Sequence, residues 1–599
     1  MTPIPLQIQR LVHLLDVGSG RRWISWILGL VVCLGITALY LTRSTRNFQN
    51  PEAMEMAQVG RNLALGRGFS THFIRPLSLQ ILRERQHALG LPDSKILTAP
   101  LPDLHCPPVH PLMIGGVFKL LPESLRSGLP SDPVTQRPHP ESVISLLNLA
   151  WFGVGTLLVF RLGSRWFDPF VGTLAAAIYA GTELLWKLSS QGLPTPFLMV
   201  LLLLLADVLV RLDETGEPLA LGSTAPVGRP LRLAVAAGAL LGIGFLTRYA
   251  FGILLLPALV WMLIGHARRA LVVPACLLGF ALFAGPWVAR NHHLSGHFLG
   301  TAFSSVSSGT ISLPDSTLER HLRPPAQQPD LGEIRYKFET AAGDLLRNAV
   351  PKIGGNWILF FFVAGIALPF RNVRMRRLRW FTLGSLGTLF VVEALTRTRL
   401  ESLIPEVNGG NQLVLVAPLI TLFGTGFFVS LLDSTEFGHP MLRSLTAAGA
   451  WAVFSLPFIG SLLPPRSYPM ADSIYRPDVI HEFCSYVKPN ELLVSDVPWA
   501  VAWYGDRDCL WTPNAIRSTN GDDFLTVNDF ERHIAALYLS PLTADEPLRR
   551  VAGRSASVWG RFYFDALARK TLPAGFPLLE AYQGSAEGGH LFLADKKRW

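Results

Sequence analysis

Apolar runs about as long as a bilayer is thick recur along this chain, and nothing else in it limits the possible folds so strongly. A helix needs roughly 20 apolar residues to cross hydrocarbon, and lipid offers no partner to an unpaired backbone group. Runs of this kind occur at 23–42, 143–162, 169–187, 193–210, 232–246, 249–265, 270–286, 356–370, 379–396, 412–432 and 444–463. Counted by length, they predict about eleven crossings. Hydrophobic residues make up 49% of the 599 and charged residues 16%, the balance of a polytopic α-helical membrane protein. The runs at 232–246 and 249–265 are short and meet at Thr247, Arg248 and Tyr249, which predicts a tight re-entrant turn or a helical hairpin.

Orientation follows from the arginines, because short cytoplasmic loops collect Lys and Arg. With the N-terminus inside, Arg21, Arg22, Arg161, Arg165, Arg211, Arg229, Arg268, Arg269 and the RNVRMRRLR run at 371–379 all face the cytoplasm. The loops at 43–142, 287–355 and 397–411 and the tail at 464–599 then lie on the outer face. The first run is too long for a signal-peptide core and no Ala-x-Ala site follows it, so it is expected to anchor the chain. The net charge of +10 belongs largely to the short cytoplasmic loops beside anionic headgroups and gives no reason to expect a nucleic-acid partner.

Past residue 463 the pattern changes. Helical periodicity at 477–487, a strand at 491–495, a short helix at 499–504 and strands at 508–512 and 533–540 predict a small extracytoplasmic α/β domain. At roughly 130 residues it is large enough to bury a core of its own. The chain therefore divides into a membrane domain, 1–463, and a tail domain, 464–599. Cys484 and Cys509 share this tail, which leaves open a disulfide in an oxidising compartment or two reduced thiols. No CxxC or HExxH spacing marks a zinc site.

The chemistry-bearing stretches are PEAMEMAQVGRNLALGRGF at 51–69 and HCPPVHPLMIGGVFKLL at 105–121, both in the first outer loop. From Met54 to Leu65 the periodicity is helical, with Met56, Val59 and Leu63 on one side and Glu52, Glu55, Arg61 and Asn62 on the other. This predicts an interfacial helix with its acids turned to water.

These motifs resemble those of the GT-C superfamily of polytopic glycosyltransferases, which includes the protein mannosyltransferases and the lipid A aminoarabinose transferase. The family carries an acidic motif after its first span, a YAxxxRxM surface helix and a PPLYP-like segment. Here Glu52 to Ala57 with Arg61 and Asn62 is similar to the first two, and Pro107 to Pro111 to the third. LTRYA around Arg248, PWVARNHHLSGH at 286–297 and the tail segment DVPWAVAWYGDR also resemble family segments. The pattern departs at three places: Glu52 or Glu55 stands where Asp is usual, Thr195 where a second acid is expected, and Asn411 and Gln412 where an Arg-Tyr pair is common.

The resemblance implies an inverting transfer of a sugar from a polyprenyl-phosphate donor to a lipid, protein or glycan acceptor. The setting it implies is the outer face of a bacterial-type inner membrane. It assigns Glu52 or Glu55 as catalytic base and Arg248, Arg61 and Arg290 to the donor phosphate. Asn62, His105, Pro108, His110 and Asn291 would line the substrate cavity, and a divalent metal is left open. Two other classes are compatible with so many spans: a secondary transporter, and a non-catalytic relative that binds lipid-linked sugar. The long polar first loop and the soluble tail, which transporters seldom need, favour the transferase.

Overall fold

The computed structural model describes residues 19–44, 47–91, 96–98, 100–122, 139–215, 228–323, 325, 327–355, 357–367, 372–398, 407, 410–435, 440–463, 475–519, 521–543, 558–582 and 589–599. Among these, 6 helices are long and apolar enough to cross a membrane: Pro140–Trp166, Thr195–Glu214, Gly228–Thr247, Arg269–Ser295, Val373–Thr396 and Leu413–Ser434. Two bent pairs raise the number to 8 if each is one span: Leu331–Lys352 with Trp357–Ile366, bent by 106°, and Met441–Phe454 with Leu456–Leu462, bent by 64°.

The run at 169–187 is not one helix. It forms Pro169–Ala180 and then Glu183–Ser190, and at the break between them a side chain on Gly181 would collide with Ser455. The helices Gly228–Thr247 and Arg269–Ser295 pack backbone to backbone. A Cβ on Gly238 would lie 1.9 Å from the carbonyl oxygen of Cys276, and one on Gly279 2.3 Å from that of Val235. Lipid supplies no hydrophobic drive between helices, so such close approach of small residues is what holds a membrane pair together.

The expected turn at Thr247 to Tyr249 is present. The helix ends at Thr247, Arg248 is extended at φ −156° and ψ 121°, and the chain restarts as a 3₁₀ turn over Tyr249–Leu254. It continues as the helix Leu255–Gly265. Breaking the helix here frees Arg248 and Tyr249 to project from a helix end rather than lie along a packed face.

Asn50 starts the first-loop helix Pro51–Ala64. Its side-chain oxygen accepts from the amides of Glu52 at 2.9 Å and Ala53 at 3.3 Å, and Pro51 takes the first helical position, where no amide proton is needed. The expectation of an interfacial helix is corrected here, because every residue from Ala53 to Asn62 is buried. The polar side is covered by protein rather than by water: Arg75 and the Ser70 carbonyl take Glu55 and Asn62 within the first loop, and the tail covers Arg61.

That cover is a mixed sheet: β1 (Phe73–Ile74), β2 (Leu492–Ser495), β3 (Cys509–Trp511), β4 (Ile534–Leu539), β5 (Glu580–Ala581) and β6 (Leu591–Ala594), in the order β1-β3-β2-β4-β6-β5. The first four lie parallel, and β6 runs antiparallel to both β4 and β5. The five tail elements predicted between 477 and 540 are present, whereas the helices Phe524–Phe530 and Val558–Phe564 and the strands β5 and β6 were not predicted. Nor does the alternation of the sequence predict that the first loop supplies the edge strand β1. One continuous apolar core runs from membrane-helix residues such as Phe152 and Leu202 into tail residues such as Trp499 and Trp503. Cys484 and Cys509 are both buried, with no disulfide between them.

Candidate active site

Under the tail, the first-loop helix and the broken membrane hairpin enclose a cavity of about 580 Å³. Glu52 and Glu55 enter it from the helix, Arg75 and His105 from the rest of the first loop, and Arg248 and Tyr249 from the hairpin. The segment 299–306 and Glu319 of the second long loop form another wall, Val392 and Thr396 of a membrane helix form the floor, and Trp499 and Trp511 of the tail form the roof.

The two acids share a helix but differ in surroundings. Glu52 keeps 29% of its side chain exposed and pairs with Arg248 through one oxygen. Arg248 is 6% exposed, and its Nη1 has no hydrogen-bond partner among the described residues. A buried guanidinium nitrogen left unbonded is costly, and Arg248 lines the cavity beside Glu52.

Glu55 is closed off. Both of its oxygens accept from Arg75, whose Nε donates to Glu319 at 2.8 Å and whose guanidinium lies 4.1 Å from the centre of the Phe73 ring. Burial alone pushes the Glu55 carboxyl up, but the Arg75 charge and hydrogen bonds outweigh it and hold the group below its usual value. Arg75 is held correspondingly higher: burial lowers it, while Glu55 and Glu319 together raise it further. Glu55 is therefore an ionised structural anchor rather than a group free to take a proton.

Asp103 closes the adjoining turn, its Oδ1 accepting from the amides of His105 at 2.8 Å and Cys106 at 2.7 Å. Burial, and then the neighbouring Glu55 charge, push its carboxyl up. Burial likewise drives the Cys106 thiol well above its usual value, helped by Asp103 and Glu55. One ligand atom each from Glu55, Asp103 and Cys106 lie within 4.8 Å of one another, and Asp103 Oδ2 has no partner among the described residues. The set nevertheless fits a divalent cation badly, because Arg75 already occupies both Glu55 oxygens and puts a fixed positive charge beside the position.

Of the residues singled out from sequence, Glu52, Glu55, Arg248 and His105 line the cavity. The others do not, and each has a different task. Arg61 donates to the carbonyls of Trp503 at 2.8 Å and Ala502 at 2.7 Å and pairs with Asp506 at 3.2 Å, so it docks the tail. Asn62 donates to the carbonyl of Ser70 at 3.0 Å. Pro108 precedes the helix Val109–Leu120, and His110 on that helix is buried with Nε2 donating to the Gly192 carbonyl at 3.0 Å. Arg290 donates to the Asp103 carbonyl and to Asn291, both at 3.0 Å.

Sequence reasoning missed Arg75, Glu319, Tyr249, Trp499 and Trp511. Tyr249 sits inside the quoted LTRYA and Trp499 inside DVPWAV, so their segments were visible although their role at the cavity was not. Arg75 and Glu319 are 244 residues apart, and no local spacing connects them.

A family model described as dolichyl-phosphate-mannose-protein mannosyltransferase matches residues 138–289. Among solved structures, ArnT from Cupriavidus metallidurans bound to undecaprenyl phosphate aligns with a TM-score of 0.52 at 13% identity, over 96% of this chain and 98% of that one. The oligosaccharyltransferase AglB from Archaeoglobus fulgidus, in complex with an inhibitory peptide and a dolichol-phosphate, aligns over 86% of this chain and 70% of that one, with a TM-score of 0.46 at 12% identity. No curated protein matches the sequence. The family model and the ArnT fold agree with the GT-C resemblance carried by the outer-loop motifs.

Proposed function

We infer that this GT-C-type membrane protein transfers a sugar from a polyprenyl-phosphate donor to an acceptor hydroxyl or amine, with Glu52 as the base and Arg248 as the phosphate ligand. The observation that carries the reading is the Glu52–Arg248 pair lining the cavity, a partly exposed carboxylate beside a buried guanidinium. Donors of this class already carry a good leaving group, so the protein has to add a proton acceptor near the nucleophile and positive charge near the departing phosphate.

In the proposed step, Glu52 takes the proton of the acceptor group as its heteroatom bonds to the sugar's anomeric carbon. The bond from that carbon to the phosphate oxygen breaks, and the electron pair leaves with the lipid phosphate, whose charge meets Arg248. Attack opposite the leaving group inverts the anomeric centre. The positive-inside distribution of arginines supports an outer-face site, and the family resemblance implies a bacterial-type inner membrane, with the tail roofing the cavity and bounding the acceptor's approach. The acceptor is a lipid, a protein or a glycan. The Glu55, Asp103 and Cys106 group enters no step.

Transfer of radiolabelled sugar from a polyprenyl-phosphate donor by the detergent-solubilised full chain tests the reading. Glu52→Gln should lower turnover about 10²- to 10⁴-fold, the usual worth of a positioned general base, while binding of the lipid phosphate is retained. Arg248→Gln should weaken that binding. Equal transfer by wild type and Glu52→Gln would overturn the assignment.

A further inference from the structure

The phenol of Tyr249 lines the cavity, and its hydrogen bonds can be assigned without ambiguity. Trp287 Nε1 lies 2.8 Å from the phenol oxygen, and an indole nitrogen can only donate. Asn291 Nδ2 lies 3.2 Å from the same oxygen. An amide side chain can be placed two ways round, and its neighbours decide which is right. Here Arg290 Nη1, which can only donate, stands 3.0 Å from the other end of the Asn291 amide. That end is therefore the oxygen, and the NH₂ faces Tyr249.

The phenol oxygen thus accepts two hydrogen bonds, and the capacity left to it is its own proton. No acceptor stands within hydrogen-bond reach of that proton among the described residues. The PWVARN segment fixes Tyr249 as an obligate donor at the cavity, one residue along from Arg248, which lines the same cavity. A partner that only accepts matches such a pair best. An ionised phosphate ester has acceptor oxygens and no proton, and its charge also matches the neighbouring guanidinium of Arg248.

We propose that Tyr249 is a second ligand of the lipid phosphate, donating its phenolic proton to a phosphoryl oxygen beside Arg248. Trp287, Asn291 and Arg290 act as positioning residues that hold it in the donor state. This rests on the glycosyltransferase reading and deepens it: Arg290 and Asn291 serve the phosphate through Tyr249 rather than by contact.

The test is equilibrium binding of undecaprenyl phosphate and of neutral undecaprenol to the full chain in detergent. Tyr249→Phe should weaken binding of the phosphate about tenfold or more, in keeping with the loss of a hydrogen bond to a charged group, and leave undecaprenol binding unchanged. Trp287→Phe, which keeps the phenol but removes one of the bonds that orient it, should cause a smaller loss confined to the phosphate. It also serves if Tyr249→Phe fails to fold. Wild-type affinity for the phosphate in either folded variant, or an equal loss for both lipids, would overturn the proposal while leaving the transferase reading intact. Absence of saturable phosphate binding by the wild type would overturn both.

Discussion

Three residues apart on one helix, Glu52 and Glu55 are chemically equivalent until their neighbours are placed. Arg75 takes both oxygens of Glu55, and Glu319 holds Arg75 from the far side, so this acid serves stability. Breaking a buried pair by removing one partner strands the other charge, and Arg75→Met is expected to destabilise the protein by about 3–5 kcal/mol. Chemical unfolding in detergent measures the loss; a midpoint unchanged from wild type would show that Glu55 needs no cation. The pH dependence has a definite sign. Because the folded pKa of Glu55 lies below its ordinary value of 4.5, its contribution is complete above that value and is lost as pH falls through the lower folded one. Asp103 acts in the opposite sense: its raised folded pKa costs stability as pH climbs from its ordinary value to the folded one. That acids of this helix matter was legible in the first-loop motif. Which of them stays free was not, since Arg75 and Glu319 reach the site only through the fold.

Element by element, periodicity located most helices and tail strands but misjudged their surroundings. The amphipathic pattern of Pro51–Ala64 reads as a surface helix because polarity in sequence cannot distinguish water from a neighbouring protein surface that pairs the same groups. Two glycines mark how closely it is packed. A Cβ on Gly60 would come within 2.7 Å of Ile114 Cγ2, and one on Gly115 within 2.9 Å of the Gly60 carbonyl oxygen. The helices Pro51–Ala64 and Val109–Leu120 therefore cross almost in backbone contact, and the first of them carries Glu52. Gly115→Ala meets backbone that cannot rotate aside, so the helices must separate, at about 1–3 kcal/mol for such overpacking. Turnover should fall with it, because sub-ångström shifts of a base are costly. An unfolding midpoint and turnover both at wild-type levels would show that the crossing has slack. The kink at Arg248 contrasts with this, because two short apolar runs meeting at a charged residue already signalled a break.

At the scale of the whole molecule, the tail and the membrane helices are joined through buried polar contacts as well as apolar ones. Glu141, fully buried at the start of a membrane helix, accepts from Trp503 Nε1 at 3.0 Å, Tyr504 at 2.7 Å and the Phe48 amide at 2.8 Å. Asp506 pairs with Arg61 and Arg67, both at 3.2 Å, and Asp508 pairs with His72 at 2.7 Å and Arg532 at 2.8 Å. A boundary drawn at 463 therefore separates stretches of sequence, while the sheet and the core cross it. Burial pushes both aspartates up, but the cations around Asp506 and the hydrogen bonds from His72 and Arg532 to Asp508 prevail, so both titrate below the usual value of 3.8. Stability from lowered carboxylates is fully present above the unfolded value and disappears as pH falls through the folded ones. The tail should then stay seated at neutral and mildly acidic pH and loosen only below about pH 4. Asp506→Asn should bring that loosening to neutral pH, since Arg61 would remain buried with only carbonyl partners. Amide exchange at Cys509 reads it directly, because that amide donates to the His72 carbonyl at 2.8 Å and is protected only while the first loop and the tail share a sheet. About tenfold faster exchange at that position is expected for Asp506→Asn at pH 7, with exchange in β4 unchanged. Equal acceleration in β4 would mean that the tail itself had unfolded rather than come away from the first loop.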